Sequence, residues 1–275
     1  MTPRPDPLSA FRLIVTDMDG TLLDGQRRLP PHFPALVRAL AARGIGWAIA
    51  SGRQLANLHA QFAALGLTPD LIAENGALAR LGGEREPFFR DLTPAAFFAQ
   101  VIAEARTIPG ATPVLCGEDC AWVDDRCPEN FEAVSHYFAR TRHLPLDPLP
   151  AVDLCKVAIY HRDAARALWP RLSPLARPEL RVIHSSPCWL DVQHARINKG
   201  RALSALLARR ALPPQAAIVF GDYLNDLEMM TLGTHAVAMA NAHPDLLALC
   251  PHRAPANTQY GVVKYLLARR FTARA

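Results

Sequence analysis

Short β-branched or apolar runs alternate along this chain with longer segments whose apolar residues recur every three or four positions. The first run, FRLIVT over residues 11–16, stops abruptly at Asp17 and Asp19, followed by Gly20 and Thr21. It reads as a buried strand that delivers carboxylates at its C-terminal tip. After a polar loop over 23–31, the spacing of Phe33, Leu36, Val37 and Leu40 predicts a helix over 32–43, with Gly44 as its stop. A strand over 45–50 then ends in Ser51, Gly52 and Arg53, and a helix over 54–65 ends at Gly66. A third strand, 71–73, ends in Glu74, Asn75 and Gly76. Strand, polar tip and helix in repetition argue for a parallel sheet wrapped by helices, with ligands beyond the carboxyl ends of its strands.

Near Leu81 the rhythm breaks. Gly82 and Gly83 form a turn signal, 88–89 is extended, and Thr93 with Pro94 caps a helix that runs to about Arg106. Strands over 112–116 and 120–123, a helix over 129–140, a Pro-rich connector over 144–152, a strand over 155–161 and a helix over 164–172 follow. Strands over 181–185 and 189–193 close this section. The first rhythm resumes at Lys199 with a helix over 200–210 and a buried strand over 216–220 that ends in Gly221 and Asp222. A helix over 227–232, a strand over 235–240, a helix after Pro244 and a last helix over 261–270 complete it. The chain is therefore expected to be an α/β protein of two domains, a core split between residues 1–81 and 193–275 and an α/β insert over 82–192.

With 275 residues, half of them hydrophobic, the chain has ample material for packed cores. No apolar run reaches the length of a membrane span, and residues 1–10 are Pro-rich without a secretory apolar segment, so a disordered leader is expected there. Six scattered cysteines with no CxxC pair fit neither a disulfide scaffold nor a zinc site, and point to a reducing cytoplasm. The net charge of +5 is spread rather than clustered, which excludes a nucleic-acid-reading stripe and suits small anionic substrates. Of thirty basic residues only Lys156, Lys199 and Lys264 are lysine. Where arginine is used almost everywhere, each lysine marks a place where a compact ammonium is wanted.

The polar tips now carry chemistry. Asp17 and Asp19 repel unless a cation or a shared proton compensates them, and a hard oxygen-liganded ion such as Mg²⁺ does so economically. Ser51, Lys199 at a helix start, and Asp222 with Asn225 and Asp226 after a later strand would gather at the same sheet edge. Lys199 sits where the helix dipole disfavours a cation, so it calls for an anionic partner. A carboxylate nucleophile, a cation and a metal together suit phosphoryl transfer. Read singly, Ser51 beside Gly52 is turn chemistry, Asn225 or Asp226 a helix cap, and Asp24 loop surface. His143, His161 and His194 read as structural or surface residues.

In the order DMDGT (17–21), ASGR (50–53), Lys199 with Gly200, and GDYLNDLEM (221–229), with AVAMANA (236–242) and a helix start at 261–263, the sequence resembles haloacid dehalogenase superfamily phosphatases of the Cof type. The resemblance spans both core segments, and the insert fits that family's mobile α/β cap on a Rossmann-like parallel-sheet core. It implies a Mg²⁺-dependent phosphatase for small phosphate monoesters, mostly sugar phosphates, working through an aspartyl phosphate. Asp17 would then be nucleophile and metal ligand, and Asp19 the general acid/base, its carbonyl also on the metal. Asp222 would complete the ligands, and Asp226 would act behind them. Ser51, Gly52, Lys199 and Asn225 would hold the phosphoryl group, and Asn75 would face the substrate. Tyr223 departs from the small residue common at its position. A phosphomutase, a phosphatase for nucleotides or pyridoxal phosphate, and a sugar-phosphate-binding regulator without turnover are the alternatives; the complete set Asp17, Asp19, Lys199 and Asp222 argues against the last. The expected partner is a small phosphorylated metabolite, with no nucleic acid or membrane, in a cytoplasmic monomer or weak homo-oligomer.

Overall fold

A computed structural model describes residues 11–268; the expected leader over 1–10 and the end of the last predicted helix lie outside the described residues. The described residues group into two compact units, one formed by 11–52, Leu58–Phe89 and 198–268, the other by Arg53–Asn57 and Arg90–Ile197. Changeovers between the units fall after Gly52, Asn57, Phe89 and Ile197.

In chain order the first unit supplies β1 (Leu13–Thr16), α1 (Phe33–Ala41), β2 (Gly46–Ala50), α2 (Leu55–Ala63) from Leu58 onward, β3 (Asp70–Ala73), β4 (Leu78–Arg80) and the start of β5 (Phe89–Arg90). The insert follows with β6 (Thr93–Pro94), α3 (Ala99–Ala105), β7 (Thr112–Cys116), β8 (Ala121–Asp124), α4 (Phe131–Ser135) and β9 (Thr141–Leu144). It continues with β10 (Asp153–Leu154), β11 (Lys156–Tyr160), α5 (Ala164–Ala167), α6 (Trp169–Leu172), β12 (Leu180–Ser186) and β13 (Trp189–His194). The first unit resumes with α7 (Lys199–Arg209), β14 (Ala217–Gly221), α8 (Leu227–Met230), β15 (His235–Met239), α9 (Pro244–Leu249), β16 (His252–Ala254) and α10 (Gly261–Ala268).

The core sheet has the order β16-β15-β14-β1-β2-β3-β4-β5, and the strands from β16 to β3 run parallel. From β1 the chain winds outward through β2 and β3; from β14 it winds outward the other way. The reversal falls between β1 and β14, the place where open α/β sheets hold their ligands beyond the carboxyl ends of the strands. Leu13, Ile14 and Val15 of β1 have no exposed surface. At about 2 kcal/mol for each such side chain, this strand is the anchor of the sheet. Phe33 of α1 lies edge-on to Trp47 of β2 at 5.0 Å and 6.4 Å from Phe62 of α2, so one aromatic cluster ties both helices to the sheet.

The insert is built on a six-stranded sheet, β12-β13-β11-β7-β8-β9, antiparallel except for the β8–β9 pair. Its residues alternate as a sheet buried on both faces requires: Val157 and Ile159 enter one apolar cluster with α3 and α6, Ala158 and Tyr160 another with Val134 of α4. Lys156, one of the three lysines, is buried here against Asp191, Nζ to Oδ2 3.0 Å. His194 stacks on Phe97 at 4.8 Å, His143 lies 3.9 Å from Phe131, and His161 Nδ1 accepts from Asp163 N, so all three have structural partners inside the insert.

Several elements differ from their expected form for identifiable reasons. The helix expected over 129–140 is α-helical only as Phe131–Ser135. Asn130 fixes its start by donating to Gly110 O and Thr112 Oγ1, and the chain then peels away so that Ala139 N donates to Gln54 Oε1 at 2.9 Å. The helix expected over 164–172 divides into α5 and α6 at Leu168, two residues before Pro170, whose missing N–H interrupts the ladder. Thr93 and Pro94 pair with β10 as a short strand, and the helix begins beyond them. The strands β4, β9 and β16 carry no long apolar run or clear alternation, and pattern reading passes over them.

The carboxylate of Asp70, at the start of β3, is 1% exposed and receives Arg210 Nε and Nη2 at 2.5 and 2.6 Å and Gly82 N at 2.8 Å. Arg210→Ala is expected to destabilise the protein by about 2 kcal/mol in urea unfolding, because it strands a buried charge, whereas Asp70→Asn keeps an acceptor and costs less.

Candidate active site

At the end of β1 the chain leaves extended geometry at Asp17 (φ −64°, ψ 166°) and enters an irregular turn, Met18–Leu22. Asp19 (φ −82°, ψ 118°) and Gly20 (φ 87°, ψ −9°) depart from helical angles within it. Gly20 is required twice over. Its φ lies in the left-handed region, and a Cβ there would sit 2.2 Å from Asp222 Oδ2. Residue 20 therefore has to lack a side chain for β1's turn to reach β14's acid.

The centre of the site is the Lys199 ammonium, which has no exposed surface. Its Nζ donates to Asp17 Oδ1 at 2.5 Å and to Asp226 Oδ1 at 2.7 Å. Lys199 opens α7, where Asn198 caps the helix by accepting from Arg201 N at 2.9 Å. The anionic partner that a cation at a helix start calls for is thus present in duplicate. Asp226 spends its other oxygen on the loop itself, accepting from Asp222 N at 2.9 Å and Tyr223 N at 3.3 Å. It reaches back over the turn after β14 rather than capping α8, and it shapes the loop that presents Asp222. Thr21 Oγ1 donates to Asp222 Oδ1 at 2.7 Å, a contact that residue-by-residue reading missed although Thr21 lies inside the DMDGT stretch.

Beside this group lies a neutral one. Asn225 Nδ2 donates to Asn75 Oδ1 at 3.2 Å, and Asn75 N donates to Ser51 O at 3.0 Å. Gly52 lies against the same carboxamide, since a Cβ there would fall 2.9 Å from Asn75 Oδ1. Asn75 is held at φ 55°, ψ 27°. The structure therefore brings Asp17, Lys199, Asp222 and Asp226 together, and Ser51, Gly52, Asn75 and Asn225 together, with the adjacent Asn225 and Asp226 joining the two groups. Asp19 is exposed on its turn. Its charge still reaches Asp222. Tyr223 is largely exposed and meets His243 edge-on at 5.7 Å.

Asp24 is not loop surface as expected: it is buried, and its carboxylate accepts from Gln26 N at 2.8 Å, Arg28 N at 2.9 Å and Arg28 Nε at 3.0 Å. The Arg28 amide, foremost, holds its carboxyl below the usual carboxylate range. Its short side chain folds the polar loop on itself, a local role that an acidic loop residue does not reveal in sequence.

Charge in the site does not balance. Burial, reinforced by Asp226 and Asp222, raises the Asp17 carboxyl well above its ordinary value against the pull of Lys199. Asp222 is raised to about 6, by burial first and then by Asp226 and Asp19, against the Thr21 hydrogen bond and Lys199. Burial alone would lower the Lys199 ammonium, but Asp17 and Asp226 outweigh it and hold it above its ordinary value. Oxygens of Asp17, Asp222 and Asp226 lie within 4.8 Å of one another. Three carboxylates against one ammonium leave room for further positive charge, and the all-oxygen donor set fits a hard divalent cation. Asp226 is already committed at both oxygens, so Asp17 and Asp222 are the side chains that fit a metal.

Lys199→Met is expected to destabilise the protein by about 3 kcal/mol, because two buried carboxylates lose their shared counter-ion. Adding Asp226→Asn should recover part of that loss, since one uncompensated charge is removed while the loop amides keep an acceptor. Equal destabilisation of the single and double variants in urea unfolding would show that the ammonium does not serve this purpose.

The chain as a whole is similar to proteins of known family and fold. A family model described as haloacid dehalogenase-like hydrolase matches residues 14–266. The chain is 29% identical over 243 residues to the HMP-PP phosphatase of Cronobacter sakazakii, covering 88% of both proteins. It is 26% identical over 258 residues to the 5-amino-6-(5-phospho-D-ribitylamino)uracil phosphatase of Escherichia coli, covering 92% of this chain and 94% of that protein. Among solved structures, a Streptococcus mutans protein superposes with a TM-score of 0.79 at 24% identity, covering 94% of this chain and 99% of that one. A haloacid dehalogenase-like hydrolase from Bacteroides thetaiotaomicron superposes at 0.78 and 22% identity, with the same coverage. With the family model spanning nearly all of the described residues and the fold matching these structures, the chain belongs to the haloacid dehalogenase-like hydrolases.

Proposed function

We propose that the protein is a Mg²⁺-dependent phosphatase that hydrolyses small phosphate monoesters, sugar phosphates or polyol phosphates among them, through an aspartyl phosphate on Asp17. The observation that carries this reading is the buried Lys199 ammonium bonded to Asp17 beside Asp222. The names of two relatives support phosphatase activity, and one of them the substrate class. Both are phosphatases, and one is named for a phosphate on a ribityl chain.

In this reading Asp17 attacks phosphorus with its free oxygen while Lys199 holds Oδ1 and fixes the direction of attack. The P–O bond to the substrate alcohol breaks as the bond to Asp17 forms, and the leaving oxygen takes its proton from Asp19. Asp19, now a carboxylate, removes a proton from water, which attacks the phosphorus of the aspartyl phosphate; the P–O bond to Asp17 breaks, inorganic phosphate leaves and the Asp17 carboxylate is restored. Ser51, Gly52, Asn75 and Asn225 line the neutral side, where uncharged donors suit equatorial phosphoryl oxygens. Mg²⁺, held by the Asp17 and Asp222 carboxylates and the Asp19 carbonyl, would supply neutralisation of the charge that develops on those oxygens.

Purified protein with Mg²⁺ is expected to release phosphate from members of a panel of sugar, polyol and heterocycle-bearing phosphates, and chelation by EDTA should abolish release until Mg²⁺ is returned. Asp17→Asn should lower kcat by roughly a thousandfold or more, because it removes the nucleophile without changing its size. Release that persists unchanged in Asp17→Asn would sink the proposal, and transfer to a sugar acceptor in place of release would favour a mutase.

A further inference from the structure

The turn that carries Asp19 is closed at its end by Leu23 N, which donates to Met18 O at 2.9 Å, and departs from helical geometry at Asp19 and Gly20. Two asparagines from the far end of the chain hold its outward carbonyls. Asn241, two residues beyond β15, donates from Nδ2 to Gly20 O at 2.8 Å. Its Oδ1 accepts from Asn257 N at 3.0 Å, and Asn257 Nδ2 donates to Leu23 O at 2.8 Å. Asn241 is exposed, yet both ends of its carboxamide are engaged by the backbone of two separate segments. Two residues on, His243 N donates to Asp222 O at 2.7 Å. One short segment thus grips both the turn after β1 and the loop after β14.

The peptide plane between Gly20 and Thr21 is rigid, so fixing Gly20 O also fixes the direction in which Thr21 leaves the turn. Thr21 then reaches Asp222 through Oγ1. On the other side of the same plane the chain runs back to Asp19, one residue away. Catalytic proton transfer needs the acid within hydrogen-bond reach of the leaving oxygen. A turn whose backbone departs from helical angles at Asp19 and Gly20 does not by itself meet that demand.

We propose that Asn241 and Asn257 are positioning residues: together they strap the turn of Asp19 in the pose from which it protonates the leaving group. The inference rests on the reading of Asp19 as general acid, and the chemistry of the leaving group separates the two. An alkoxide needs protonation as it departs; p-nitrophenolate is stable enough to leave without it. The parameter kcat/KM reports the steps up to formation of the aspartyl phosphate, where this difference is felt.

The Mg²⁺-loaded protein would be assayed with p-nitrophenyl phosphate and with the alkyl phosphate most active in the panel above. Asn241→Ala is expected to lower kcat/KM for the alkyl phosphate about tenfold and for p-nitrophenyl phosphate by less than about twofold, with Asp19→Asn showing the same selectivity more strongly. If Asn241→Ala does not fold, Asn257→Ala, which loses only the bond to Leu23 O, provides the same comparison. Equal loss on both substrates would mark the asparagines as merely structural and overturn the proposal, as would no loss on either. If Asp19→Asn is itself unselective, or no alkyl phosphate is hydrolysed, the reading of Asp19 fails and the strap falls with it. If Asp19→Asn is selective and the asparagine variants are not, the strap alone is wrong.

Discussion

A single ammonium, Lys199 Nζ, holds together groups that would otherwise repel. With no exposed surface and carboxylates at 2.5 and 2.7 Å, it compensates charges brought by β1 and by the loop after β14. A lysine suits the place better than an arginine, because a compact charge can sit between two carboxylates that approach from different directions. Its third direction and the unspent oxygens of Asp17 and Asp222 leave the site short of positive charge, and that imbalance is what a metal and a phosphoryl group would exploit. The same pairing recurs in the insert at Lys156 and Asp191, so two of the three lysines in an arginine-rich chain are buried against aspartates.

The sheet makes this meeting possible. Parallel strands place their carboxyl ends on one edge, and the reversal between β1 and β14 makes the two strands neighbours although they lie far apart in the chain. Close approach then depends on missing side chains. A Cβ at residue 221 would fall 2.6 Å from Asp226 Oδ2, much as one at residue 20 would strike Asp222. The acids are crowded because glycines let the backbone come near them, and that crowding adds to burial, the larger cause, in raising the Asp17 and Asp222 carboxyls.

The parts of this arrangement legible in the sequence are those that break a local rule. Asp17 and Asp222 stand out because a buried apolar run should not end in acid without cause. Lys199 stands out because a cation at a helix start opposes the dipole. The parallel core was legible because its strands are continuous apolar runs bounded by polar tips. Residues that obey local rules were silent. Thr21 and Asn241 are ordinary turn and loop residues in sequence, and their bonds to Asp222 and Gly20 span 201 and 221 positions. Asp24 was misread for the same reason, since its short-range hydrogen bonds leave no pattern. The edge strands β9 and β16 need only half-buried, polar-tolerant positions, so their composition does not distinguish them from loops.

The adjacency of β1 and β14 also bears on how the chain is made. During synthesis from the N-terminus, β1 emerges and can pair with β2, but its other edge waits until some two hundred residues more have followed. Throughout that interval a strand with a wholly apolar interior presents unpaired backbone groups, and Asp17 has no counter-ion. Closing so long a separation is slow compared with local pairing. Nascent chains cut short before Lys199 would therefore carry an open strand edge of the kind that favours aggregation.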